Sequence, residues 1–172
     1  MNRRIFELIA ACCLVSLNVY GSAPLSPPNS GLRQSSSDIN ALETLANNGD
    51  MAAQRTLGLL HARGRLVPKD DARAAHWLKK AAEQDDPHAQ YALAILFRQG
   101  AGVPKDTDQT EYWLLRSARH GYARAEGQLG LLYSLPGPKQ DYRKALEWFA
   151  KAAEKGDVSA QIMLAVMYLE GR

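Results

Sequence analysis

His61, His76, His88 and His120 are the side chains of this sequence best suited to bind a metal or move a proton at neutral pH. No two of them fall three or four residues apart, so no helical face presents a pair of imidazoles to a metal ion. His88 and His120 read as solvated residues at helix ends. Asp106-x-Asp108 opens like a calcium loop, but the sixth position is Glu111 rather than Gly and the twelfth is Ser117 rather than Glu. Helix capping is the better reading, because Asp108 and Glu111 stand at capping-box spacing. No Ser or Thr is followed three residues later by Lys, and there is no Gly-x-Ser-x-Gly elbow. A phosphate-cradling Gly-x4-Gly-Lys loop and a His-Glu-x2-His zinc helix are also missing from the sequence. No catalytic group, cofactor or metal is therefore expected, and a cell-wall hydrolase is the least favoured function.

The elements that carry these side chains announce themselves by self-similarity. Trp77, Trp113 and Trp148 recur at intervals of 36 and 35 residues (113 − 77 and 148 − 113). Ala53-Gln54, Ala89-Gln90, Ala125-Glu126 and Ala160-Gln161 recur in phase with them, as do Leu57-Gly58, Leu93-Ala94, Leu129-Gly130 and Leu164-Ala165. Val67-Pro68-Lys69-Asp70 returns as Val103-Pro104-Lys105-Asp106, and the shorter third copy has Pro138-Lys139-Gln140-Asp141. Each copy reads as two helices. The first is expected over residues 50–63, 86–99, 122–134 and 157–170, with Asp caps and Gly64 or Gly100 as stops. The second starts near Asp70, Asp106 or Asp141 and carries a stripe such as Ala74, Trp77, Leu78, Ala81 and Ala82. The tryptophans lie on this apolar stripe and are expected in the core rather than in a ligand-stacking ladder. Lys79-Lys80 and Arg116 with Arg119 read as outer-face charges. The expected organisation is a capping helix over 38–48, repeats at about 50–85, 86–121 and 122–156, and a partial repeat over 157–172.

The residues before these repeats read differently. Asn2-Arg3-Arg4 is a short positive stretch, and Ile5 to Val19 is mostly apolar but too short for a comfortable membrane span. A signal peptide over 1–23 is the preferred reading, with small residues at Gly21-Ser22-Ala23. Pro24 disfavours a cut after Ala23, so a cut after Gly21 stays open. An uncleaved anchor, or lipidation at Cys12 after Ile9-Ala10-Ala11, are the other readings. Both cysteines, Cys12 and Cys13, lie in this segment, so the repeats must hold by packing without disulfides. Residues 24–37, rich in Pro, Ser, Asn and Gly, read as a flexible tether. A periplasmic or secreted location follows from this reading, with no membrane insertion of the mature domain. The composition, 46% hydrophobic and 23% charged with a net charge of +3, is that of a globular protein and gives no reason to expect a nucleic-acid partner.

The stretches AEQDDPHAQYALAILFRQGAGVPKDTDQTEYWLLRSA and ALEWFAKAAEKGDVSAQIMLAVMYLEGR resemble the Sel-1-like repeat family, a relative of tetratricopeptide repeats. The resemblance covers about Asp50 to Arg172. It implies an all-α fold, an α/α superhelical solenoid of antiparallel helix pairs that scaffolds protein–protein contacts. His61 stands where the family usually has Tyr, which implies a packing role. By analogy with tetratricopeptide geometry, the first helix of each pair lines a concave binding surface. The implied partner-facing residues are Arg55 and Leu59; Tyr91, Ile95 and Arg98; Arg124 and Leu131; Ile162 and Val166. Tyr91, Arg98 and Arg124 are the expected anchors, since Tyr and Arg suit interface hot spots. The row Leu59, Ile95, Leu131, Val166 reads equally well as packing between helices.

Some small secreted members of the family are immunity proteins against phospholipase toxins of type VI secretion, and this chain looks similar to them. An adaptor in envelope assembly, such as polysaccharide export or secretion machinery, is the alternative. The last segment has Ile162, Met163, Leu164, Val166, Met167 and Leu169 nearly all round a helix. A second copy, giving a dimer through the C-terminal helix, or a partner is expected to cover it, unless the chain is a natural truncation.

Overall fold

The computed structural model describes residues 36–171. Readings that fall on residues 1–35, including the signal, anchor and lipidation alternatives and most of the tether, lie outside the described residues. Among the described residues there are eight helices and no strands. They are α1 (Ser36–Asn47), α2 (Met51–Arg63), α3 (Asp71–Glu83), α4 (Pro87–Gln99), α5 (Thr107–Arg119), α6 (Ala123–Ser134), α7 (Tyr142–Glu154) and α8 (Val158–Leu169). The chain forms two compact units. The first ends at Thr110 and the second begins at Glu111, so the division falls within α5. In the first unit α1 packs on α2, α2 on α3 and α3 on α4; in the second, α6 packs on α7 and α7 on α8. Within each unit the short connections make these packed neighbours antiparallel hairpins.

The phased residues explain where each helix begins. Asp50, Asp70 and Asp86 hold extended backbone and accept from the N–H of Ala53, Arg73 and Ala89 at 2.7, 2.9 and 2.8 Å. Asp141 and Asp157 do the same in the second unit, at 3.1 and 2.9 Å. Each satisfies a donor that the first turn leaves open. Tyr122 occupies the equivalent place before α6 and makes no side-chain cap bond. Gly64 and Gly100 end α2 and α4 at φ 64 and 72, a left-handed turn that lets their N–H groups bond the carbonyls of Leu60 and Leu96.

Two helix starts are set more closely by the structure than by the sequence. The capping helix begins at Ser36, two residues before the expected 38. The cap of α5 is Asp106, whose carboxylate accepts from Gln109 N–H at 2.9 Å; Asp108 sits inside the first turn. Val-Pro-Lys-Asp places Asp106 where Asp70 caps α3, and this register overrides the local capping-box spacing.

The recurrent Ala-Gln pair fastens the turn between successive helices. Gln54, Gln90 and Gln161 each donate an amide hydrogen to a carbonyl at the end of the preceding helix: Ala46 at 3.0 Å, Ala82 at 3.1 Å and Ala153 at 3.2 Å. The third copy has Glu126, which has no donor when ionised. It accepts instead from Lys155 Nζ at 2.5 Å. Gln84 is the counterpart of Lys155 two copies earlier, and it donates to Gln54 Oε1 at 2.7 Å. An amide pair in one copy is thus an ion pair in another.

Small residues set how closely paired helices approach. A Cβ built on Gly58 would lie 2.6 Å from Leu78 Cγ, and one on Gly130 would lie 2.5 Å from Phe149 Cδ1. The missing side chain is what lets the large one sit against the backbone. Leu57, Leu78, Leu129 and Phe149 are all buried, and burying each such side chain stabilises by about 1.5–3 kcal/mol.

Candidate functional site: partner-facing surfaces of the two units

In the first unit, Arg55 is not a free anchor. Its Nη1 lies 2.5 Å from Asp86 Oδ2, and Asp86 is itself buried while capping α4. Arg55 therefore ties α2 to the start of α4. Tyr91 and Ile95 are also placed differently from the expectation, with only 4% and 2% of their surface exposed. The physical reason is visible in α4: every residue from Ala89 to Leu96 is buried. A helix with apolar or small side chains at every phase has no polar face to turn to water. The side opposite Leu93-Ala94 is core as well. Arg98 is half-buried beside Tyr91. Burial pulls its guanidinium below the usual arginine range, partly opposed by the electrostatic effect of Tyr91.

Leu59 is half-buried and lines an open depression with Thr56, Leu60, Arg63, Arg65 and Leu66. Its volume is about 370 Å³. Leu66 is 58% exposed and holds a left-handed φ of 69. That conformation costs a leucine roughly 1–2 kcal/mol. The same place in the next copy is Gly102, at φ 70. An apolar side chain thus stands out from the surface at a depression that Arg63 and Arg65 also line, in a backbone shape that ordinarily goes to glycine.

In the second unit, Arg124 is exposed and Leu131 is buried, which corrects the expectation that Leu131 faces a partner. Leu131 lies in the run Leu129 to Tyr133, where polar residues are missing from the sequence and packing takes every phase but Leu132. The two residues still meet at a small depression that Gly127, Asp157 and Met163 also line. Ile162 is 47% exposed and Val166 is half-buried on α8.

The second unit also holds a polar cluster that no local sequence motif marks. Tyr133 Oη donates to Glu111 Oε1, Lys139 Nζ lies 2.7 Å from Glu111 Oε2, and Lys144 Nζ lies 5.2 Å from the centre of the Tyr133 ring. Burial alone would raise the Glu111 carboxyl. The hydrogen bonds from Lys139 and Tyr133, with the positive charges of Lys139 and Lys144, outweigh it and hold the group below its ordinary range. Burial, and then the bond to Glu111, raise the Tyr133 phenol. The available signal was register: Tyr133 stands where His61 stands in the first copy, with an added hydroxyl to satisfy.

The signs fix a pH dependence. Glu111 binds fewer protons folded than unfolded near and below the ordinary carboxyl value of 4.5. Its contribution is present above that range and is lost as pH falls through the lowered folded value. Glu111→Gln is therefore expected to flatten the acid limb of the stability profile of the second unit. Urea titrations at a series of acid pH values check this; an acid limb as steep as wild type would exclude Glu111 as its source. Tyr133 has the opposite sense: its contribution is present below the ordinary value of 10.0 and is lost as alkali rises through the raised folded value.

The tryptophans recur with a cation three residues on. Lys80 Nζ lies 4.9 Å from the centre of the Trp77 ring, Arg116 Cζ 5.3 Å from that of Trp113, and Lys151 Nζ 4.3 Å from that of Trp148. Lys80 and Arg116, expected as plain outer-face charges, cover aromatic rings.

The Sel1 repeat model matches residues 52–86, 87–122, 123–157 and 158–172. The chain belongs to the Sel1 repeat family. Its fold is similar to that of a protective antigen of uropathogenic Escherichia coli strains that displays an SLR fold, with 34% identity and a TM-score of 0.75. That match covers 78% of this chain and 29% of the other. A Sel1 repeat protein from Oxalobacter formigenes is similar at 36% identity and a TM-score of 0.73, over 79% of this chain and 56% of that one. The chain thus spans about a third to just over half of the length of these two relatives. No curated protein matches it. Its fold class is that of the Sel1 solenoids, all-α with successive antiparallel helix pairs. Sel1 repeat proteins generally mediate protein–protein interaction. No helix among the described residues of this Sel1 protein is long and apolar enough to cross a membrane.

Proposed function

We propose that this Sel1 repeat protein is an exported, non-catalytic module that captures one specific protein in the periplasm. The observation that carries the reading is the depression at the end of α2, where exposed Leu66 and half-buried Leu59 are flanked by Arg63 and Arg65. Apolar contact beside forked cations suits a segment that pairs an aliphatic side chain with carboxylates. Export rests on Arg3-Arg4 and the apolar run that follows. Immunity against a type VI phospholipase toxin is the preferred specific role, and envelope assembly is the alternative.

Capture from a periplasmic extract by the tagged chain, read by mass spectrometry, is the test. One dominant partner is expected, with Leu66→Asp and Arg65→Glu each reducing its recovery at least tenfold. Aspartate tolerates the left-handed backbone, so Leu66→Asp should leave the fold intact. Lys79→Ala, at a side chain 62% exposed on α3, should leave recovery unchanged. A phospholipase neutralised by the chain would establish immunity; an export or secretion component would establish the adaptor. Equal recovery by wild type and both patch variants would overturn the proposed surface. A cytosolic protein with Met1 intact would overturn export.

A further inference from the structure

Asp157 repeats the geometry of Asp86 without its partner. Both open a first helix, and each gives one carboxylate oxygen to the cap. Asp86 Oδ1 accepts from Ala89 N–H at 2.8 Å, and Asp157 Oδ1 accepts from Ala160 N–H at 2.9 Å. Asp86 Oδ2 is left to Arg55, at 2.5 Å. The register that aligns Asp86 with Asp157 also aligns Arg55 with Gly127. A Cβ built on Gly127 would lie 3.6 Å from Asp157 Oδ2, so a side chain leaving α6 here would start beside that second oxygen. Glycine supplies no such side chain. Among the described residues no cation lies within ion-pair distance of Asp157. The space that Arg55 fills in the first unit is here the small depression lined by Gly127, Leu131, Phe149, Asp157 and Met163. It is built by α6, α7 and α8, which pack on one another. The equivalent place in the first unit is filled from α2 itself. It is open here because residue 127 is glycine, not because of anything beyond α8.

We propose that this depression takes an arginine side chain from a partner protein, laid across Gly127 so that its guanidinium meets Asp157 Oδ2 as that of Arg55 meets Asp86 Oδ2. Asp157 is half-buried, so salt screens the pair less than it would on open surface. Leu131, Phe149 and Met163 give the methylene stem of the arginine an apolar wall. Arg124, one turn earlier on α6, is exposed at the rim. It repels a bare cation. The segment that fits therefore carries a carboxylate beside its arginine, which the Arg124 guanidinium holds through paired hydrogen bonds. The proposal rests on the reading of the chain as a protein-binding module, but it concerns another surface than the α2 depression.

The probe is the capped dipeptide acetyl-arginyl-aspartyl-amide, titrated into the isotope-labelled full chain and followed by amide chemical shifts. Saturable shifts at Gly127 and Ala160 are expected. The Ala89 amide, whose cap already holds Arg55, should stay in place. Asp157→Asn keeps the cap, since asparagine serves equally well there, but it removes the charge. It should weaken binding by about fivefold, the upper end for a solvent-facing ion pair. Gly127→Arg should abolish binding by filling the place from within. Its urea midpoint should also exceed that of Gly127→Ala, and that difference should vanish when Asp157→Asn is added. Absence of saturable shifts, equal shifts with acetyl-alanyl-aspartyl-amide, or equal binding by Asp157→Asn would overturn the proposal. So would a dimer in sedimentation that Gly127→Arg dissociates, because a second copy would then occupy the place. A chain that captures its partner through the Leu66 depression yet ignores the dipeptide would lose this site alone and leave the proposed function standing.

Discussion

Gly102→Ala is expected to cost the first unit about 2–5 kcal/mol, a large part of what a domain of this kind has to lose. Two effects add. Gly102 holds φ 70, where any Cβ meets its own backbone, a penalty of roughly 1–2 kcal/mol. The added Cβ would also lie 2.0 Å from the carbonyl oxygen of Asp71 and 2.6 Å from Ala72 N. Those are backbone atoms in the first turn of α3, which cannot rotate away as a side chain would. The loop after α4 must lift from α3, and overpacking of that kind costs about 1–3 kcal/mol. Leu66 supplies the internal comparison, since it carries the same left-handed backbone with a full side chain that is 58% exposed. The strain is shared by the two positions, while the collision belongs to Gly102. Leu66→Gly should therefore be neutral or stabilising by about 1 kcal/mol, opposite in sign to Gly102→Ala. Urea unfolding of both variants decides: a Gly102→Ala midpoint within error of wild type would mean the loop does not rest on α3.

The helix pairs were legible because their punctuation is chemical and repeated. Aspartate caps, Gly64, Gly100 and the Trp-to-Ala-Ala stripe recur in phase, and each does locally what its residue type allows. The register between copies even outranks local pattern, as Asp106 rather than Asp108 shows. The partner surface was less legible. The analogy with related repeats places Tyr91, Ile95 and Leu131 on an open face, yet the sequence around them has too few polar residues to make one. Reading Tyr91 to Leu96 for a missing polar side would have placed them in the core. Arg55 carries a different lesson. Its partner Asp86 is 31 residues away, and no local pattern reveals a bond between a side chain of one helix and the cap of another. Leu66 is hidden in an exception to the repeat, a leucine where the next copy has glycine, and the Tyr133 cluster depends on Glu111, 22 residues away on another helix. Departures from register, rather than the register itself, mark the places where this chain differs from a generic stack.

Trp113→Ala is the second large effect, at about 3–5 kcal/mol, and its size should exceed that of the same change at Trp148. The three tryptophans share one repeat position but not one environment. Trp113 is 6% exposed, whereas Trp77 and Trp148 are half-buried. Truncation of a buried ring removes its transfer free energy and leaves a cavity that the surrounding helices fill only in part. At Trp148 water already reaches the ring, so less apolar area returns to solvent and the cavity is shallower. The cations do not reverse the order. Arg116 lies over Trp113 and Lys151 over Trp148, and such contacts contribute about 0.5–1 kcal/mol at exposed sites. Trp113 adds an edge-on contact with Tyr112, ring centres 4.9 Å apart. In a repeat protein, stability is approximately a sum of unit and nearest-neighbour contributions, so the loss should appear as a shifted midpoint of the unit that holds the ring. Urea denaturation of Trp113→Ala and Trp148→Ala, followed by circular dichroism, checks the order. If Trp148→Ala lost as much as Trp113→Ala, burial would not be what ranks them, and the cation over each ring would have to carry the difference.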